Sequence, residues 1–390
     1  MFVYLIAYFS ILTFVFFQKS LTIQQKRIFL GFWIVYISLI CGLKDMLGGY
    51  DCYVYGEVFD ACSDDIDKGV SIIDNIAIIM NPTELGFGLF NIIIGYLTAN
   101  RYIFLLLSTL ITFFLFYLSF SHYTKYPFLA FFIFFCIFYF FTFTYTRQVM
   151  AVGIAWLSIP YAIKRKPIPF FLIVLLAVSF HNSAALFALS YFFANKRFSK
   201  SNILISLLLS FLLGLTPIGN YLFSILGGAM NENKAQGSLN HADTANYMYL
   251  LEALFFFILI YIKYEDIPKK KLTTCMLNIA LLFIFVLTFF IKFADGGRMS
   301  WYFLIGIATT MAHIGMKGAN SKYIKIIIIT SASLLYFRLL LGGWSGILTP
   351  YKSFLSDGPS SDLQTWSMCE YDHNYDKDKF YRAPFKLLKK

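Results

Sequence analysis

The sequence YTRQVMAVGIAW, at residues 145–156, places an arginine and a glutamine inside an otherwise apolar stretch. The run PFLAFFIFFCIFYFFTF at 127–143 precedes it and LSIPYAI at 157–163 follows it, so Arg147 lies within or at the edge of a hydrocarbon layer. An arginine at the middle of a membrane helix costs roughly 2.5–3.5 kcal/mol on insertion scales, whereas near a helix end its long side chain reaches headgroups and water. A second stretch, SFHNSAA at 179–185, places His181 in a similar setting. Both residues are therefore candidates for function.

The composition indicates a polytopic, all-α integral membrane protein. Of the 390 residues, 59% are hydrophobic and only 14% are charged, and the mean hydropathy is +0.68. Soluble domains carry about 25% charged residues. The net charge of +11 is spread over short loops between apolar runs, which is typical of cytoplasmic loops, so we expect no nucleic-acid partner. Residues 1–17 lack a basic start and a small-residue cleavage site, and we expect them to be a retained first span.

The apolar runs predict about twelve transmembrane helices, since a span needs about 20 apolar residues. We expect an additional re-entrant or interfacial helix at 84–99, because counting it as a span would place every later basic loop outside. A true short span with inverted topology downstream is the alternative. The predicted spans are 1–17, 28–43, 102–120, 127–144, 148–163, 168–180, 183–194, 202–217, 247–263, 272–291, 299–316 and 322–340.

The loop charges predict the orientation. Basic loops, such as 164–166 and 269–271, are assigned to the cytoplasm, whereas the acidic loop at 44–101 is assigned to the opposite side. The membrane domain then covers 1–340, with a second extracytoplasmic loop at 218–246, and a polar tail at 341–390 lies outside. We expect the bacterial cytoplasmic membrane, with the site facing the periplasm or the cell exterior.

The cysteines show no metal-binding spacing, and there is no phosphate-binding Walker loop or zinc-protease motif, so we expect no metal and no cofactor. Cys52 and Cys62 share the acidic loop. They could form a disulfide if that loop is extracytoplasmic.

Four polar clusters fall at the predicted outer face, and each has a structural alternative. Arg147 and Gln148 open a helix and suit an anion, although an arginine there could instead reach lipid headgroups. His181 could be a general base, a hydrogen-bond donor to a diphosphate, or part of a polar helix cap. Arg298 and Asp295, in KFADGGR at 292–298, could bind substrate or form a turn with an ion pair.

The fourth cluster is GGYDCYVYGE at residues 48–57. Asp51 and Tyr55 in it are residue types that bind sugars through stacking and through hydrogen bonds to hydroxyl groups. A solvated acidic loop is the alternative.

Taken in order, these motifs resemble the Wzy-type polysaccharide repeat-unit polymerases, including EpsG-like and O-antigen polymerases. The matching stretches are Gly-Tyr-Asp ending at Asp51 with Tyr55, Glu84-Leu-Gly-Phe, Arg147-Gln148, and Phe-His181-x-Ser-Ala. They span roughly residues 28–195, with a weaker echo at 295–298 and at Pro-Tyr-Lys, 350–352. Lys44 stands where the family has its first arginine, and a lysine is a point charge in place of a bidentate fork.

The resemblance implies a glycosyltransferase that polymerises undecaprenyl-diphosphate-linked oligosaccharide units into O-antigen or exopolysaccharide. It implies catalytic roles for Arg147, His181, Asp51 and Glu84, with the base among the last three undecided. Substrate binding would involve Arg298, Gln148, Lys44, Tyr55 and Asp295. The partners would be the lipid-linked oligosaccharide and membrane lipid, with a chain-length regulator and a flippase as further candidates.

Three other functions are compatible with parts of the sequence. A glycan ligase would share the donor, and a lipid-linked oligosaccharide flippase or transporter would share the substrate. Transporters, however, commonly show internal repeats and midplane polar residues. A membrane O-acyltransferase would use His181 but would leave Arg147 without a role.

Overall fold

The computed structural model describes residues 1–45, 50–218, 221, 245–293, 296–318, 320–356 and 378–386. These residues are helical throughout their regular structure, and their one β-type pairing is an isolated antiparallel bridge between Lys44 and Ser353. The α-helices are α1 Phe2–Phe17, α2 Ile23–Gly42, α3 Tyr50–Asp67, α4 Ile76–Ile79, α5 Leu85–Gly95, α6 Arg101–Tyr123, α7 Pro127–Phe138, α8 Thr146–Trp156, α9 Ile159–Ile163, α10 Pro167–Phe180, α11 Leu189–Phe193, α12 Lys200–Gly214, α13 Tyr247–Ile262, α14 Lys271–Phe289, α15 Gly296–Ser300, α16 Leu304–Met316, α17 Ser321–Leu341 and α18 Ser345–Leu348.

Four of these helices, α2, α6, α14 and α17, are long and apolar enough to cross a bilayer, and others are apolar but shorter. The chain is therefore a membrane-embedded, all-helical protein, as its composition predicts. The predicted apolar runs correspond closely to these helices, although the total of about twelve spans stays a prediction.

Several predicted spans consist of two pieces. The run at 127–144 is α7 followed by a 3₁₀ helix, Tyr139–Phe143, and the run at 148–163 is α8 followed by α9. Pro160 lies in the first turn of α9, where its missing N–H has no hydrogen bond to lose. Because α7 ends early, α8 begins at Thr146, and Arg147 and Gln148 lie in its first turn.

Long-range contacts define two ends of the helix bundle. At one end, which we call the acidic end, the Tyr4 hydroxyl donates to the Leu348 carbonyl over 3.0 Å, and the Phe354 N–H donates to the Leu43 carbonyl over 2.9 Å. The N-terminus, the C-terminal end of α2 and the segment after α17 therefore lie together. At the opposite, basic end, Arg27 donates to the Ser121 carbonyl over 3.3 Å.

The acidic segment at 44–101, expected to be a loop, is largely helical and comprises α3, α4 and α5. With 11 residues, α5 is about 16 Å long, too short to cross a hydrocarbon layer of about 30 Å alone. Its position relative to the membrane stays a prediction.

The possible disulfide between Cys52 and Cys62 is absent. Both are free, buried thiols on α3. Residues ten apart on one α-helix are separated by about 15 Å, well beyond the Cα distance that a disulfide allows.

The end of the tail packs against α3. Arg382 donates to both carboxylate oxygens of Asp64 over 2.7 and 3.0 Å, and Lys386 contacts Asp67 over 2.6 Å. Asn100 donates to the Lys379 carbonyl over 2.9 Å. Residues 378–386 therefore lie at the acidic end, where their positive charge offsets the negative charge of α3.

Candidate functional site

Arg147 is held at the acidic end of α8 by three side chains from the acidic segment. Its Nη1 donates to Glu84 Oε2 over 2.6 Å and to Asn81 Oδ1 over 3.0 Å, and its Nε donates to the Tyr55 hydroxyl over 3.3 Å. The guanidinium also lies over the Phe87 ring at 5.9 Å.

The outer edge of Arg147 stays available to a ligand. Its side chain is 26% exposed, and no atom of the described residues accepts a hydrogen bond from Nη2. A guanidinium that presents an unengaged N–H pair to solvent can bind a phosphate oxygen.

Glu84 joins Arg147 to the histidine motif. While Oε2 accepts from Arg147, Oε1 accepts from the backbone N–H of Asn182 over 3.1 Å. The Asn182 side chain adds a bond to the Thr83 hydroxyl over 3.0 Å. Both oxygens of the Glu84 carboxylate are thus engaged in holding neighbouring groups.

A close approach of α5 to α10 makes the Glu84 bridge possible. A Cβ atom on Gly86 would lie 2.1 Å from Ser179 Oγ, 2.9 Å from its Cβ and 3.0 Å from its carbonyl oxygen. Only a residue without a Cβ allows this spacing, which explains the glycine two residues after Glu84.

Gln148 and Arg298 form a reciprocal pair. Arg298 Nε donates to Gln148 Oε1 over 2.9 Å, and Gln148 Nε2 donates to the Arg298 carbonyl over 3.0 Å. The Arg298 guanidinium lies over the Tyr145 ring at 4.2 Å. Since Gln148 follows Arg147 on α8, this pair places Arg298 next to the first turn of α8, which also carries Arg147.

His181 is oriented by two hydroxyl groups. Its Nδ1 lies 2.7 Å from Ser183 Oγ and 3.4 Å from the Tyr302 hydroxyl, and those two hydroxyls are 2.9 Å apart. Tyr302 is fully buried one helical turn after Arg298, so it connects the histidine to the second arginine.

Hydrogen bonds and neighbouring positions in the chain together form a ring that links four distant parts of the chain. We call it the polar ring, and its members are Arg147, Glu84, Asn182, His181, Ser183, Tyr302, Arg298 and Gln148. Two guanidinium groups and one imidazole around a common site can bind an anion and move a proton.

Tyr55 and Asp51 line the α3 side of the site. Tyr55 is buried, and burial raises the pKa of its hydroxyl to about 12, so it is neutral when it accepts from Arg147. The half-buried Asp51 carboxylate is close enough for its charge to act on Tyr55 and Arg147.

One of the predicted site residues, Lys44, is not brought to the polar ring. Lys44 is 3% exposed, and its ammonium donates to the Phe143 carbonyl and to Cys52 Sγ at 3.3 Å. Lys44 therefore lies beside the end of the aromatic run at Phe143, which separates it from the first turn of α8. Asp295 lies outside the described residues.

Asn81 and Tyr302 are site residues that the sequence analysis missed. Asn81 precedes Pro82 in a segment without helical periodicity, and Tyr302 lies in the apolar run MSWYFLIG at 299–306. No local pattern distinguishes either residue. In the part of the chain that the structure describes, no group of three His, Cys, Asp or Glu side chains is placed to hold a metal ion.

The fold and the polar ring define a class of protein: an all-helical membrane protein with a cationic polar site at one end of its bundle. Residues 27–353 match the model of the EpsG family, so the chain belongs to the EpsG family. This confirms the resemblance and indicates a polysaccharide polymerase-type membrane protein. No curated protein and no solved structure matches the chain.

Proposed function

We propose that the chain polymerises glycans by transferring a growing chain from its undecaprenyl diphosphate carrier to a hydroxyl group of the next lipid-linked unit. The observation that carries this proposal is the polar ring, in which Arg147 and Arg298 flank one site beside His181. Membership of the EpsG family supports the reaction class.

The residues have separate roles in this reaction. The acceptor oxygen attacks the anomeric carbon, and the bond from that carbon to the phosphate oxygen breaks, with its electron pair remaining on the diphosphate. Arg147 and Arg298 stabilise the negative charge that develops there, which is the largest demand on the site. His181 accepts the acceptor's proton, since an imidazole ordinarily titrates near neutral pH.

Glu84, Gln148 and Tyr302 act as positioning residues in this scheme. Both Glu84 oxygens are engaged, by Arg147 and by the N–H of Asn182, so we assign the role of base to His181. Asp51 remains placed to bind a sugar hydroxyl from the α3 side, together with Tyr55.

The product would be O-antigen or exopolysaccharide, made at the outer face of the bacterial cytoplasmic membrane. The basic loops lie at the end of the bundle opposite the polar ring, which supports this orientation under the positive-inside tendency. A flippase would supply the lipid-linked units from the cytoplasmic side, and a chain-length regulator would be a natural partner.

The test combines purified protein with lipid-diphosphate-linked repeat units and no nucleotide, and resolves the product by size. We expect a ladder from the wild type and from Arg27→Ala at the basic end, and no ladder from Arg147→Ala or Arg298→Ala. Transfer of a single finished glycan to another acceptor would indicate a ligase. Passage of intact units across vesicles without new linkages would indicate a transporter and would refute the proposal.

Orientation has its own test in intact cells. The five described cysteines are buried, so in a Cys369→Ser background an introduced surface cysteine reports its side of the membrane. A membrane-impermeant maleimide should label Gly346→Cys in intact cells and Tyr323→Cys only after permeabilisation. The reverse pattern would place the polar ring on the cytoplasmic side.

A further inference from the structure

A cluster of aromatic rings adjoins the polar ring beside Arg298. The Tyr145 and Trp301 ring centroids are 5.4 Å apart, those of Phe141 and Trp301 are 4.9 Å apart, and Trp344 meets Phe141 edge-on at 5.2 Å. Trp344 also lies 6.4 Å from Tyr145. We call these four residues, Phe141, Tyr145, Trp301 and Trp344, the aromatic platform.

The platform is open on the side of Trp344. Trp344 and Tyr145 are half-buried, and a Cβ atom added to Gly343 or Gly346 would meet no atom within 4 Å. The segment around Trp344 is therefore open at Gly343 and Gly346.

The indole N–H of Trp344 differs from those of two buried tryptophans. Trp33 donates to Ser10 Oγ over 2.8 Å, and Trp156 donates to the Tyr302 carbonyl over 2.8 Å. Trp344 donates to no atom of the described residues. A half-exposed indole with an unused donor can bind a ligand through both its face and its edge.

Arg298 connects the platform to the anion site, because its guanidinium contacts two of the platform's rings. Its guanidinium lies 4.2 Å from the Tyr145 ring and 6.0 Å from the Trp301 ring. A ligand phosphate on Arg298 would therefore have its next substituent beside these rings. Flat rings with negative faces attract the C–H groups of a sugar ring, whose hydroxyl groups remain free for hydrogen bonds.

We propose that the aromatic platform binds the sugar attached directly to the diphosphate, with Trp344 as its principal contact. This inference rests on the proposed function, because it names the part of the substrate that the platform holds. Aromatic residues of a membrane interface belt would be the alternative, since Trp and Tyr are common there. These rings instead contact one another and Arg298 at helix ends.

The test measures binding by purified full-length protein with two probes. One is the repeat-unit oligosaccharide released by mild acid from the lipid-linked pool, and the other is farnesyl diphosphate. We expect Trp344→Ala to weaken oligosaccharide binding by roughly tenfold, and to raise KM in the ladder assay with kcat nearly unchanged. Farnesyl diphosphate binding should change by less than about twofold.

Two further variants keep the result interpretable. Trp344→Phe retains a ring and should fall between wild type and alanine, even if Trp344→Ala is unstable. Tyr323→Ala removes an exposed aromatic at the opposite end of α17 and should match the wild type in every assay.

The proposal is wrong if both Trp344 variants bind the oligosaccharide like the wild type. It is also wrong if farnesyl diphosphate binding falls equally, which would make the platform a lipid site. Loss of thermal stability without loss of sugar affinity would indicate an interface anchor. A wild type that makes no ladder would refute the proposed function, whereas the binding measurements would still decide the platform.

Discussion

The bridge between Glu84 and Arg147 allows a quantitative test of the polar ring through a double-mutant cycle. The variants are Glu84→Ala, Arg147→Ala and the two combined. Glu84 makes one charge-assisted bond, of 2.6 Å, and one bond to a backbone N–H, of 3.1 Å. Both bonds are made to the carboxylate, and a bond to a charged group contributes about 1.5–3 kcal/mol.

These contacts predict a loss of about 3 kcal/mol in the free energy of unfolding for Glu84→Ala. Removing one partner of a fully buried ion pair costs about 3–5 kcal/mol. The cost here should lie at the lower end of that range because Arg147 is 26% exposed and keeps its bonds to Asn81 and Tyr55. Arg147→Ala should cost about 2–3 kcal/mol for the same reasons.

The double variant should lose less than the sum of the two single variants. The Glu84–Arg147 bond is counted in both single variants but is lost only once in the double variant, so we expect a coupling energy of about 2 kcal/mol. At roughly 2 °C per kcal/mol, the single variants should melt about 4–6 °C below the wild type.

The assay follows thermal unfolding in detergent with a fluorogenic maleimide. It is run in a Cys369→Ser background, because the other five cysteines are free and buried and so react only on unfolding. The matched control is the pair Lys263 and Asp266, 2.9 Å apart with Asp266 42% exposed, whose coupling should be below about 1 kcal/mol. Additive losses in the Glu84–Arg147 cycle would refute the bridge and the placement of Glu84, at the start of α5, beside Arg147.

Further predictions concern other contacts of the same structure. Gly86→Ala should cost about 1–3 kcal/mol and reduce activity, because its Cβ atom would overlap Ser179; unchanged melting and activity would contradict the close approach. With the pKa of Tyr55 raised to about 12, its contribution is complete below pH about 10 and is lost as the pH rises to about 12. Between about pH 9.5 and 11.5, Tyr55→Phe should therefore lose less stability than the wild type does. Equal slopes of stability against pH would argue against burial of the hydroxyl. Arg101→Ala should destabilise the protein by about 3–5 kcal/mol, because it leaves the buried carboxylate of Asp60, 2.5 Å from the guanidinium, without this partner. Lys386→Ala should cost below about 1 kcal/mol, and high salt should remove even that effect. Equal melting of these two variants would contradict the difference in burial.

The basic residues of the polar tail have partners on α3. The tail carries Arg382 and Lys386 onto Asp64 and Asp67 of α3, so two segments of opposite charge neutralise each other at the acidic end. Sequence analysis assigns no role to these basic residues, because their partners lie more than 300 positions earlier.

The amino-acid sequence by itself determines the class of this protein. Long apolar runs interrupted by short basic loops can satisfy their backbone hydrogen bonds only as helices in a hydrocarbon layer, and this is a local property that the predicted helix bounds reproduce. The order of its short motifs likewise identifies the EpsG family. Arg147 and His181 stand out because polar groups are costly in such surroundings.

Only the tertiary structure decides which side chains meet. Glu84 contacts Arg147 across 63 positions, and Gln148 contacts Arg298 across 150. Lys44 turns to the Phe143 carbonyl, and Tyr302 joins the histidine from within an apolar run. These pairings depend on how helices distant in sequence pack and on close approaches such as that at Gly86, and hydropathy along the chain contains no information about either.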